Sequence, residues 1–143
     1  MLLRISISFN KETLLNNSRR IISSLARGAD KSYTLPTLND GFFEHELQLL
    51  VDSLPDTLCP LLHGEDDPQI GSTSVTMSLS LYSERQKKLI PSKLESYMCN
   101  TIAYGWFVRN GFSYDVIDMD KVYNELHHAI LLKDAPYSRK PGF

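Results

Sequence analysis

The stretch Tyr97 to Val108, YMCNTIAYGWFV, contains no charged residue and holds the only tryptophan of the chain, Trp106. Asn100 and Thr101 are its only plainly polar side chains. Leu94, Met98, Ile102 and Trp106 recur at four-residue spacing, which stacks them on one face of a helix. Tyr97, Tyr104, Phe107 and Val108 fill the remaining sides. A helix that is apolar nearly all round must be covered nearly all round, so it is predicted to lie at the centre of the fold. Asn110-Gly111 ends it. At its start, Pro91 either opens the helix in its first turn or kinks a longer one. Ser83 and Gln86 have the spacing of a capping box that would begin the longer version.

The remaining segments read as cover for this helix. Leu3, Ile5, Ile7 and Phe9 alternate with Arg4, Ser6 and Ser8, the period of a strand with one buried face. Asn10 is placed to cap a helix from about 11 to about 27, whose stripe is Leu14, Leu15, Ser18, Ile21, Ile22 and Leu25. Gly28 is a natural stop for it. Residues 29–36 read as a loop, and Thr37 with Asp40 resembles a capping box. Phe42, Phe43, Leu47, Leu50, Val51 and Leu54 then form a second stripe, which Pro55 should kink or end. Residues 56–62 suggest a short helical piece, with Cys59, Leu61 and Leu62 calling for burial. HGEDDPQIGSTS, residues 63–74, reads as a solvated linker.

Val75, Met77, Leu79 and Leu81 give the second alternating strand, over about 75–82. Phe112, Tyr114, Val116 and Ile117 bridge to a last helix. Asp118 caps that helix, and Asp120 sits favourably near its positive end. Its stripe is Met119, Val122, Tyr123, Leu126, Ala129 and Ile130, and Pro136 ends it. The expected fold is mainly α, of α+β class: about four helices around a central apolar helix, with a two-stranded sheet from about 3–9 and 75–82. The strand direction is open, parallel or antiparallel. The expected organisation is a single domain over 1–136 and a flexible basic tail, YSRKPGF, over 137–143.

With 143 residues the chain suits one core, and 42% hydrophobic with 22% charged residues is too apolar for disorder. A net charge of −2 provides no global field towards nucleic acid or anionic lipid. The N-terminal apolar run is too short for a secretory signal, and no window reaches the roughly 18 apolar residues of a membrane span. Cys59 and Cys99 read as small hydrophobes in a reducing compartment. A cytoplasmic protein is expected.

No constellation in the sequence selects a reaction. His127 and His128 are adjacent and would point about 100° apart on a helix, which suits one metal poorly. His45 lies in EHELQ, without the second histidine of a zinc-protease signature. Cys59 and His63 are separated by Pro60, and no second ligand pair exists at zinc spacing. Glu65, Asp66 and Asp67 read as a solvated run. Asp115, Asp118 and Asp120 lack the glycine and terminal glutamate of a calcium loop. There is no nucleophile elbow and no phosphate-cradling glycine loop. The basic pairs and triplets, Arg85, Lys87 and Lys88 and then Arg139 and Lys140, are not interleaved with aromatics as a single-strand binder requires. No metal, no cofactor and no catalytic residue is therefore assigned.

The order of elements in the second half is VTMSLSL, a helix ending YGWFV, a short turn, another helix and the tail YSRKP. It follows a strand, a helix and a TLND-led helix in the first half. This order is similar to that of a family of small proteins from prophage-like gene clusters of Bacteroides-type bacteria. The resemblance implies a role among virion structural proteins, in head–tail joining or tail assembly, and hence a virion-associated location. It implies protein partners, either further copies of the chain or phage-type structural proteins. The interaction surface is expected among Phe42, Phe43, Phe112, Tyr114, Tyr137, Arg139 and Lys140. The alternative expectation is a small-ligand binder or an enzyme with an unrecognised pocket around His45, His127 or His128.

Overall fold

The computed structural model describes residues 3–29, 40–62, 67–112 and 115–132. Its elements run β1 (Leu3–Asn10), α1 (Lys11–Ala29), α2 (Asp40–Thr57), α3 (Cys59–Leu62), β2 (Gln69–Ile70), β3 (Ser74–Leu81), α4 (Glu84–Arg109) and α5 (Met119–Leu131). The class is mainly helical α+β, as the alternation and stripe patterns imply. The Thr37 half of the expected capping box, the loop from 30 to 36 and the tail from 137 to 143 lie outside the described residues.

The alternating segments form one antiparallel sheet in the order β1-β3-β2. Leu3 faces Leu81 and the register continues without a bulge to Asn10 facing Ser74. The third strand, β2, falls inside the segment 63–74 that reads as a linker. It is only Gln69–Ile70, too short for alternation to reveal. Gly71 N–H donates to the Ser74 carbonyl across 2.7 Å and turns β2 back onto β3.

Three helix starts are set by side chains at the positions the sequence suggests. Asn10 Oδ1 accepts the Thr13 N–H (3.1 Å) and starts α1. Ser83 Oγ accepts the Gln86 N–H (3.2 Å), and Asp118 Oδ1 accepts the Lys121 N–H (3.1 Å). The helix α1 runs past Gly28 to Ala29, beyond the expected stop. At the end of α4, Gly111 adopts φ +80°, where a side chain is disfavoured. Its N–H donates to Val108, and Phe112 N–H donates to Phe107 (3.0 Å), which together close a Schellman motif. Phe112 then lays its ring 5.0 Å from that of Phe107, the apolar contact that accompanies this motif. Nothing lies within 4 Å of a Cβ added at Gly111, so substitution there costs backbone strain alone. Gly111→Ala is expected to lose about 1 kcal/mol and roughly 3–4 °C of melting temperature, measured by circular dichroism. Gly111→Asn should lose less, and an alanine variant that melts like wild type would contradict the left-handed turn.

Two prolines lie inside helices, which for Pro91 is the longer of the two readings the sequence allows. Pro91 lies inside α4, which is continuous from Glu84 through 26 residues. It leaves the Lys87 carbonyl without its helical donor, but Lys87 is exposed, so water can replace the bond. Ile90 and Leu94 on either side are fully buried and hold both halves of the helix on one core. Likewise α2 passes through Pro55 to Thr57, and Leu58 N–H still reaches the Leu54 carbonyl (2.8 Å). Pro60 sits in the first turn of α3, where its missing N–H has no helical partner to lose.

The apolar row on α4 runs Ile90, Leu94, Met98, Ile102 and Trp106, and a second row of Cys99, Ala103 and Phe107 is also buried. α1, α2 and α5 pack against this helix, and the inner face of the sheet closes the core with Ile7, Phe9, Val75, Met77, Leu79 and Leu81. Two expected core positions are not core. Tyr123 of α5 is 39% exposed and stacks on His127 at 5.5 Å. Cys59 is exposed, while its neighbours Leu58 and Leu61 take the buried positions of that turn.

Candidate interaction surface

Three of the aromatic residues expected at an interaction surface, Phe42, Phe43 and Phe112, fall among the described residues. Phe43 is 2% exposed and belongs to the core, because it shares the buried stripe of α2 with Leu47 and Leu50. Phe112 is half-buried against Trp106 and Phe107 as part of the α4 terminus. Phe42 is half-buried under the Arg109 guanidinium, which lies 5.8 Å from its ring centre. Tyr114, Tyr137, Arg139 and Lys140 lie outside the described residues.

Beside Phe42 the structure buries a carboxylate that the sequence does not flag. Glu46 of α2 is 8% exposed and its carboxylate rests on Gly105 of α4, where a Cβ would overlap Oε1. Arg109 Nη2 stands 2.9 Å from Glu46 Oε2, yet it is not aligned for a hydrogen bond. The contact is therefore a charge pair at the α2–α4 seam, with a half-exposed arginine capping a buried acid. It joins two helices rather than offering a reactive group.

The two cysteines are free and differ in environment. Cys99 is buried between α1 and α4, with Sγ donating to the Leu14 carbonyl at 3.8 Å. Burial pushes its thiol from the ordinary 9.0 up to about 11, against a smaller lowering effect of the Ser18 hydroxyl. The folded state thus holds this proton more tightly than the unfolded chain. The associated stability is whole below pH 9.0 and is lost as the pH rises through about 11. At mildly alkaline pH, iodoacetamide should modify Cys59 in the native protein and Cys99 only after unfolding, as read by peptide mass spectrometry. Equal native rates would contradict the packing of α1 on α4.

Two open clefts lie among the helices. One, about 570 Å³, runs between α1 and α4, with Arg20 and Asn17 facing Glu95 and Ser96 across Cys99. The other, about 640 Å³, sits beside the α5 N-terminus and includes Lys93, Asp118, Asp120 and His128. Among the described residues, no three His, Cys, Asp or Glu side chains come together as metal ligands would need. No helix among them is long and apolar enough to cross a membrane.

The sheet presents a different kind of surface. Its outer face pairs Ser6 with Ser78 and Ser8 with Thr76, and Arg4, Ser6, Ser8 and Thr76 are exposed. Its two edges are unlike. β2 is two residues long and lies between Pro68 and Gly71, so it offers little to an added strand. β1 is eight residues long, with no lysine, proline, glycine or bulge. Lys11 N–H donates to the Thr73 carbonyl at 2.9 Å, one step beyond the Asn10–Ser74 pair. Hydrogen-bonded pairs recur every second residue in an antiparallel ladder. The backbone groups of Leu3, Ile5, Ile7 and Phe9 therefore point at β3, and those of Arg4, Ser6 and Ser8 point outward. The β2 side agrees: the bond from Gly71 to Ser74 directs even-numbered residues of β3 towards β2, leaving the odd ones for β1. The alternating serines are the sequence signal for this surface, and by themselves they mark only the solvent side of a strand.

No protein-family model, curated protein or solved structure matches the chain.

Proposed function

We propose that this chain is a non-enzymatic structural or interaction protein that works as a component of a larger assembly. The observation that supports this reading is the contrast between the sheet's outer strands: β2 is blunted to two residues, while β1 runs unbulged for eight with Arg4 as its one charged residue. The exposed hydroxyls of Ser6, Ser8 and Thr76 lie on and beside that strand and can meet a partner with little side-chain ordering. The finer reading is a virion component acting in head–tail joining or tail assembly. It rests on the order of elements that resembles the prophage-type family.

The test is particle fractionation of cells that express the gene together with its neighbours. The chain is expected in the fraction of assembled particles, and its deletion is expected to leave unjoined heads and tails. Normal particles formed without it, with the chain recovered only as free protein, would overturn the assembly role.

A second reading, a small-ligand binder, draws on the α1–α4 cleft. Its volume falls within the range of roughly 300–1,000 Å³ common for ligand sites. Ligand sites bury most of their ligand, whereas this cleft is open to solvent along the helix seam, so the assembly reading is preferred. A ligand that raises the melting temperature of wild type but not of Arg20→Ala would reverse that preference.

A further inference from the structure

We draw no further inference here: the strongest candidate, the cleft between α1 and α4 that Arg20 and Glu95 face across Cys99, is an open helix seam, and nothing in the structure shows what covers it.

Discussion

Trp106→Ala is expected to lower the unfolding free energy by about 3–5 kcal/mol. The indole is 4% exposed at the last turn of the buried row on α4. It stands edge-on to Phe107 at 5.3 Å and tilted to Phe112 at 5.8 Å. Truncation removes the transfer free energy of the ring and leaves a void, which neighbouring aromatic rings held by the Schellman turn cannot collapse to fill. Chemical denaturation followed by circular dichroism measures the loss. Since domains of this size are stable by only about 5–15 kcal/mol, the variant should sit near the edge of folding at 37 °C. Tyr123→Ala is the contrast. Its ring is more than a third exposed, and its removal should change stability by no more than about 0.5 kcal/mol. A Trp106→Ala midpoint close to wild type would overturn the central position of α4.

The second large effect is expected at Gln86, a fully buried polar residue. Its Oε1 accepts the Tyr82 N–H at 2.6 Å, where β3 gives way to α4. Its Nε2 donates to the Ala129 and Ile130 carbonyls at 3.2 and 2.8 Å. Those carbonyls belong to the last turn of α5, where Ala129 also accepts the Leu132 N–H at 3.3 Å but no following helical turn supplies further donors. One side chain thus fastens the end of the sheet, the start of the central helix and the end of the last helix. Gln86→Met keeps the length and much of the shape but removes every one of these bonds. Each orphaned buried group costs about 1–3 kcal/mol, so a total near 2–4 kcal/mol is expected after relaxation. Hydrogen exchange should show the loss concentrated in α5. A variant with wild-type stability and unchanged α5 protection would mean that water replaces the amide.

Gln86 also shows how sequence and structure divide the information. Its spacing from Ser83 marks a capping box, and the Ser83 half forms as expected. The glutamine instead accepts from the residue before the cap and reaches 43 and 44 positions along the chain to α5. Caps, alternation and helical stripes are local and can be read directly: β1, β3, α1, α5 and their starts follow from them. What cannot be read depends on partners distant in sequence. The stripe over Phe42 and Phe43 is visible, but which of the two enters the core depends on how α2 rolls against α4. Pro91 breaks a local rule, and only burial of Ile90 and Leu94 on the same core explains why the helix continues. Glu46 has the pattern of the solvent side of α2, yet it lies over Gly105, a position on α4 that leaves room for it. The candidate surface is half legible. The serines of β1 stand out in the sequence, but the direction of their backbone groups requires the register with β3.

The shortness of β2 sets a limit on growth. A two-residue strand between Pro68 and Gly71, at the end of the order β1-β3-β2, gives an added strand almost nothing to extend. Growth of the sheet by strand addition is therefore blocked on the β2 side.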